Sequence, residues 1–250
     1  MGHYGLETDP DPTGIASVEF NRFENVVTIG DFFLQDHKAL KTVNLTKMGA
    51  LTSIGSYFLT SCAALTTLEI NPLSNVTTVG DRFMMGCKSM ATIDIGMLKS
   101  VTVIGDQFMM SCTAMKSVNL APLSNVTSIG DRFLFACSSL ATIDLAPLAK
   151  VTTLGCRFMW NCTSLKNTDI SPLKAVTKVD AVGFMEGVKS IVVKEDGTKG
   201  GAAQRHTHAH DVTAAIFIFF SINVINIPPP TLLYCTCLFL IKFKGMKLKW

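Results

Sequence analysis

Residues 126–150 read VTSIGDRFLFACSSLATIDLAPLAK, and residues 101–125, immediately before them, read VTVIGDQFMMSCTAMKSVNLAPLSN. The two align without a gap, and so do the segments opening at Leu51, Val76 and Val151. A fixed period of 25 residues is the signature of a solenoid, in which each copy forms one coil. Upstream, a more divergent copy opens at Val26, and Ile15, Val18, Phe20 and Phe23 fill the apolar positions of a half-copy. Downstream, Val176 opens a last copy that slips by one residue, so that Phe184 stands where the period predicts residue 183. The array is expected to run from residue 15 to residue 195 in about seven coils.

With Val126 counted as position 1, apolar residues fall at positions 1, 4, 8, 12, 15, 18, 20 and 23, here Val126, Ile129, Phe133, Cys137, Leu140, Ile143, Leu145 and Leu148. The period-two spacing of Ile143 and Leu145 predicts a strand with both side chains turned to one face. That strand is expected to be the unit's reliable element. Pro147 then turns the chain. Ile129-Gly130-Asp131 is expected to make a second corner, with Gly130 at positive φ and Asp131 capping a short helical turn through Phe133 and Cys137. No single copy can bury eight apolar residues alone, so successive coils must share one core. Phe33, Phe58, Phe83, Phe108, Phe133 and Phe158 are expected to form an aromatic ladder, with Cys62, Cys87, Cys112, Cys137 and Cys162 as a ladder of reduced, buried thiols beside it. At a strand spacing of roughly 4.8 Å the rod is on the order of 30 Å long. The expected fold class is a repeat solenoid of short parallel strands with loops and short helical turns, α/β or mainly β.

The segment Ile129-Gly130-x-x-Phe133-x-x-x-Cys137-x-x-Leu140-x-x-Ile143-x-Leu145 resembles the leucine-rich-repeat superfamily, and most closely its BspA-like class. The motif recurs with minor changes in five copies. Two departures stand out: the copies are longer than the family's usual unit, and Leu73, Leu98, Leu123, Leu148 and Leu173 replace the Asn of the commonest leucine-rich repeats. The resemblance implies a curved solenoid with a strand-lined concave face, often at the cell surface and used for adhesion or recognition. It carries over no catalytic residue.

Charge narrows the function. Of the net +3, Lys242, Lys244, Lys247 and Lys249 against Asp211 contribute all, so the body is neutral. It lacks the basic footprint of a nucleic-acid binder. No G-x-S-x-G, H-E-x-x-H or phosphate loop is present, and His37 is the one histidine inside the array, so no enzyme is expected. No C-x-x-C pair supports a zinc ribbon, and no metal or other cofactor is expected. His206, His208 and His210 alternate beyond the Gly197–Gly201 stretch and read as solvated residues of a flexible linker, with metal chelation the sharper alternative. Asn44, Asn75, Asn125 and Asn161 sit in glycosylation sequons, which matter only if the chain enters the secretory pathway.

Four regions result: an irregular segment 1–14, the solenoid 15–195, a Gly/His linker 196–211, and a hydrophobic tail 212–250 with a basic end. Residues 212–227 would reach about 24 Å as a helix, short of the roughly 30 Å hydrocarbon core. Pro228-Pro229-Pro230 breaks the run, yet residues 212–241 together suffice to span, which makes them a candidate membrane segment with the following lysines on the cytosolic side. No signal peptide is evident at the amino terminus, and that conflicts with an external solenoid. The expected function is a non-catalytic module that binds a protein or glycan, at a membrane or the cell surface in preference to the cytoplasm. The alternative is an intracellular scaffold with a tail of no function.

The recognition surface follows from alternation. If positions 18 and 20 face the core, positions 17 and 19 face out: Thr42 and Asn44, Thr67 and Glu69, Thr92 and Asp94, Ser117 and Asn119, Thr142 and Asp144, Asn167 and Asp169. Glu69 would then lie one strand spacing from Asp94, and Asp144 from Asp169, a juxtaposition of like charges that costs stability. The plain reading is that Thr, Asn and Asp keep an exposed strand soluble; the sharper one is that the strip receives a cationic or hydroxyl-rich ligand.

Overall fold

The computed structural model describes residues 14–70, 76–179, 183–194 and 204–208. They wind into a parallel-strand solenoid of about seven coils with little helix. One short strand recurs in every coil, at positions 3 and 4: Thr28–Ile29, Ser53–Ile54, Thr78–Val79, Val103–Ile104, Ser128–Ile129, Thr153–Leu154 and Lys178–Val179. Paired neighbours run parallel, with each residue opposite its counterpart one period on, as Ile54 is opposite Val79 and Ile104 opposite Ile129. The ladder breaks once, between Thr78–Val79 and Val103–Ile104, which belong to different sheets.

The segment expected to be the unit's reliable strand is not. It pairs at the amino end, as Ser17–Glu19, Thr42–Leu45 and Thr67–Ile70. It pairs again at the carboxyl end, as Thr168–Asp169 beside Ser190–Lys194, which in turn takes Gln204–His208 antiparallel. Residues 91–95, 116–120 and 141–145 form no strand. The element that follows shortens the segment at its carboxyl end, in the paired Thr168–Asp169 as in the unpaired coils. Gly96–Leu98, Ala121–Leu123, Ala146–Lys150 and Ser171–Ala175 are 3-10 turns, the last three with Pro in the first turn. The residue before each is already bent towards them, with ψ of 21° at Ile95, 0° at Leu120 and Leu145, and −2° at Ile170. A residue with ψ near zero cannot extend a ladder, so the strand loses its last member. The strand Gln204–His208 falls inside the stretch 196–211 expected as a linker; His210 and the tail 212–250 lie outside the described residues.

The second corner also differs from expectation. Gly55, Gly80, Gly105, Gly130 and Gly155 do not have positive φ. They are glycine because coils approach too closely for a side chain: a Cβ on Gly80 would lie 2.5 Å from the Ser56 backbone nitrogen. Nor does the adjacent Asp cap its own turn. Asp31 Oδ1 accepts from the Ser56 backbone N–H in the next coil at 2.7 Å, Asp81 from Asp106 at 2.9 Å, Asp106 from Asp131 at 2.8 Å and Asp131 from Cys156 at 2.8 Å. These carboxylates are inter-coil rungs.

Between positions 6 and 12 the chain adopts no helix. Residues at positions 7, 9 and 11 have positive φ in coil after coil, as at Arg132 (57°), Leu134 (50°) and Ala136 (56°). Alternating left- and right-handed residues form a ladder of their own. Arg132 N–H donates to Cys156 O (2.8 Å) and Ala136 N–H to Trp160 O (2.7 Å) in the next coil, while Leu134 N–H donates back to Phe108 O (3.0 Å). The same three bonds cross the junction where the other ladder breaks: Arg82 to Asp106, Gly86 to Met110 and Met109 to Phe83. This column is the continuous spine of the molecule.

Inside it stands the aromatic ladder. Consecutive rings from Phe33 to Phe158 stack with centroids 5.2–5.6 Å apart and planes within 11° of parallel. Phe184 joins at 5.3 Å from Phe158, so the one-residue slip is absorbed before position 8 and the ladder continues. The thiol ladder lies alongside, fully buried and unoxidised. Each Sγ–H donates to the position-9 carbonyl of the previous coil: Cys62 to Leu34 (3.0 Å), Cys87 to Leu59 (3.2 Å), Cys112 to Met84 (3.3 Å). Position 12 takes cysteine because a small apolar side chain with one weak donor satisfies that carbonyl.

Candidate functional site

The strip expected to receive a partner lies on the surface in every described coil. Thr67, Glu69, Thr92, Asp94, Ser117, Asn119, Thr142, Asp144 and Asn167 are exposed, and Thr42, Asn44 and Asp169 are half-buried. Thr42 to Asn44 and Thr67 to Glu69 sit on paired strands, with Asn44 directly opposite Glu69. In the middle coils the strip runs over extended chain without a sheet beneath it. Position 18 is the less tightly closed of the two inward positions: Leu68, Ile93 and Ile143 are only partly buried, whereas Ile95, Leu120 and Leu145 are closed over.

Position 19 has a local task that alternation does not reveal. Asp94 Oδ1 accepts from the Gly96 N–H at 2.8 Å, Asn119 from Ala121 at 3.0 Å, Asp144 from Ala146 at 2.9 Å and Asp169 from Ser171 at 3.0 Å. Asn44 does the same with Thr46, at 3.0 Å to its N–H and 2.7 Å to its hydroxyl. These are Asx turns that present one oxygen to the first N–H of the following 3-10 turn. A short side chain with an oxygen at Cγ is what the turn needs, and Asp and Asn both supply it. The signal lies in the sequence, as Asp or Asn two residues before the turn-forming Gly96, Ala121, Ala146 and Ser171. The turn also restrains the side chains of Asn44, Asp94, Asn119, Asp144 and Asp169 within the strip.

A second surface, on the spine side, combines residue types that the apolar pattern could not bring together. Phe135 stacks on Trp160 at 4.6 Å, and the Arg82 guanidinium lies 4.5 Å over the Tyr57 ring. A Cβ on Gly183 would meet both Trp160 Cδ1 at 2.9 Å and Arg157 Cγ at 3.0 Å, so positions 7 and 10 line one ridge.

For chemistry the described residues offer little. His37 occupies position 12 and heads the thiol column, with its Nδ1 2.9 Å from Gln35 O. Burial pushes the Cys62 thiol up to about 12, its bond at the His37 backbone lowering it only in part. A thiol so protonated is no nucleophile at neutral pH. Cys87, Cys112 and Cys137 are raised well above the ordinary thiol value by the same desolvation. No group of three metal-ligating side chains forms among the described residues. Of the sequons, Asn125 is tied between coils, its Nδ2 donating to Lys99 O at 3.0 Å and its Oδ1 accepting from Lys150 Nζ at 2.9 Å. Among the described residues no helix is long and apolar enough to cross a membrane.

Comparison with known proteins agrees with the repeat. No curated protein matches the chain. Among solved structures, a leucine-rich repeat protein from Bacteroides ovatus ATCC 8483 is similar at 19% identity and a TM-score of 0.46, over 72% of this chain and 55% of that one. A leucine rich cell surface protein from Faecalibacterium prausnitzii A2-165 is similar at 20% identity and a TM-score of 0.41, over 71% of this chain and 48% of that one. The chain thus spans about half the length of the structures it matches. The family model for the BspA type leucine rich repeat region, in 6 copies, matches residues 13–131 and 94–196, most of the molecule, and the chain belongs to that family.

Proposed function

We propose that this protein is a non-catalytic recognition module that binds a cationic or hydroxyl-rich partner, a protein or a glycan, along the strip at positions 17 and 19. The observation that carries this reading is the Asx turn at position 19. It ties one carboxylate oxygen of Asp94, Asp144 and Asp169 to the backbone, so less side-chain entropy remains to be lost on binding. Repetition at each coil suits an extended partner whose groups recur at a similar interval. Residues 212–241 and the lysines after them would attach such a module to a membrane.

The Asx turn also makes the test clean. Asn44 and Asn119 make it without charge, so Asp94→Asn, Asp144→Asn and Asp169→Asn, together with Glu69→Asn, remove the charges and keep the turns. The combined variant is expected to hold or raise its unfolding temperature while binding of a fluorescent oligolysine probe falls at least tenfold. Asp94→Ala, by contrast, loses the turn and costs about 1 kcal/mol. The competing surface is the ridge. If probe binding or a pulled-down partner survives the four Asn substitutions and is lost on substituting Arg82, Gln107 and Arg132, the strip is not the site.

A further inference from the structure

Positions 13–17 of the six full coils, residues 38–42, 63–67, 88–92, 113–117, 138–142 and 163–167, hold five lysines and no Asp, Glu, Arg or aromatic residue. Position 15 points inward, where Leu40, Leu65, Met90, Met115, Leu140 and Leu165 are closed over. The outward positions carry only Ala, Ser, Thr and Lys, with Asn167 the one exception. Lys38, Lys41, Lys88, Lys116 and Lys166 are all exposed, and none of them pairs with a carboxylate among the described residues. The solenoid is neutral as a whole, so this face is balanced by carboxylates elsewhere, chiefly at positions 6 and 19. Its positive charge is not cancelled on the spot.

The face is also regular. Ala64 N–H donates to Lys38 O (3.3 Å) and Ala114 N–H to Lys88 O (3.1 Å), while Thr66 N–H donates to Lys41 O (2.9 Å) and Ala141 N–H to Lys116 O (3.3 Å). These bonds set the lysines in two columns, at positions 13 and 16, that run from coil to coil. At about 4.8 Å per coil, Lys38 is about 10 Å from Lys88, Lys116 is as far from Lys166, and the whole row is about 25 Å long. Such separations are close to the Debye length of about 8 Å at physiological salt, so the lysines act on a partner together.

We propose that positions 13–17 form a second binding surface, independent of the strip, and that its occupant is a linear sulfated glycan lying along the solenoid axis. Charge complementarity requires a polyanion, and width selects among polyanions. Glu69, Asp94, Asp144 and Asp169 stand at position 19, three residues beyond position 16 and about 10 Å away along extended chain. A bilayer or a nucleic-acid duplex is broader than the face and would press its own negative charge onto those carboxylates. A single polysaccharide chain avoids them. Single-stranded nucleic acid finds no stacking partner, because the face has no aromatic residue. The charge carriers are all lysines. Planar carboxylates are matched by the fork of Arg, whereas a point charge meets a tetrahedral sulfate ester from any direction. Between the lysines the floor is made by Ala63, Ala91, Ala114 and Ala141, which are too short to hold a sugar ring away, and the exposed Ser139 and Thr163 offer it hydroxyls.

Titration of fluorescently labelled heparin with the full chain at about 0.1 M NaCl tests it. Binding is expected, and it is expected to weaken steeply as salt rises. Lys88→Gln, Lys116→Gln and Lys166→Gln together are expected to raise Kd at least tenfold with unchanged far-UV circular dichroism. Lys47→Gln, Lys99→Gln and Lys178→Gln remove the same charge from other faces and are expected to raise it no more than about twofold. The four Asn substitutions in the strip, which lift a nearby repulsion, are expected to lower Kd, and that separates this surface from the strip. Should the first triple variant alter the dichroism, its three single substitutions take its place, each expected to raise Kd about two- to threefold. Equal losses in the two triple variants overturn the proposal, because net charge alone would then explain the binding. So does binding lost only when Lys242, Lys244, Lys247 and Lys249 are replaced by Gln, or tighter binding to phosphatidylserine vesicles or a single-stranded oligonucleotide than to heparin.

Discussion

Cys112 shows how one repeated residue couples the core to pH. Its thiol donates to the Met84 carbonyl and is enclosed on all sides, so desolvation holds it protonated far beyond the ordinary thiol range. The other four thiols of the column are raised in the same way, Cys162 to about 12. In the unfolded chain all five return to the ordinary value of 9.0. Because the folded values are raised, the thiols favour the fold fully below pH 9, and that advantage is lost as pH rises between about 9 and 12. At pH 10 each unfolded thiol gains about 1.4 kcal/mol by ionising, so five cost about 7 kcal/mol, as much as the whole stability of many domains. The urea midpoint is therefore expected to drop steeply between pH 8 and pH 10, and the drop to shrink by about one fifth in Cys112→Ala. A midpoint that does not move over that interval would mean that the thiols are not enclosed.

The left-handed column is an element whose identity rests on strain shared between coils. A non-glycine residue at positive φ costs about 1–2 kcal/mol, and the column holds up to three per coil. Inter-coil hydrogen bonds offset this, as Ala136 N–H does with Trp160 O. In several coils position 11 carries residues that reduce the cost, namely Asp36 and Asn161, and Gly86 at φ 77°. Ala136, at φ 56°, lacks any such relief. Ala136→Gly is therefore expected to stabilise the protein by about 0.5–1 kcal/mol, the relieved strain exceeding the extra entropy of a glycine in the unfolded chain. Chemical denaturation checks it, and a destabilised variant would remove the strain argument. The same column marks where sequence reasoning stops. The period, the eight apolar positions and both ladders follow from counting, because burial selects residue type directly. Arg82, Gln107 and Met109 carry no mark of a left-handed backbone, since interactions with the next coil impose it. The strip divides similarly: its outward direction follows from alternation at positions 17 and 19, but its acidic character reads as like-charge repulsion when Asp94 and Asp144 are needed first for a turn.

At the scale of the molecule each coil touches only its neighbours, and stability is close to a sum of coil and junction terms. The consequence is that a coil can be removed whole. Excising residues 126–150 joins Asn125 to Val151 and brings the coil opening at Val151 against the coil opening at Val101. The ladders of the excised coil then have substitutes of the same kind in register, while the Phe135–Trp160 stack and the Lys150–Asn125 bond are lost. Phe158 meets Phe108 in place of Phe133, and Cys162 Sγ–H reaches Met109 O in place of Leu134 O. Asp106 Oδ1 accepts from Cys156 where it accepted from Asp131. Thr153–Leu154 pairs with Val103–Ile104 where Ser128–Ile129 stood. The shortened chain is expected to fold with the same dichroism per residue and a melting temperature lower by about 2–4 °C, the fall that accompanies loss of roughly 1 kcal/mol in a domain of this size. Excising residues 126–137 instead removes half a period, sets Phe108 opposite no ring and breaks the spine at one junction, and that chain is expected not to fold. Calorimetry of the two deletions decides the point: if they are equally destabilised, the register that joins the coils is not what stabilises the molecule.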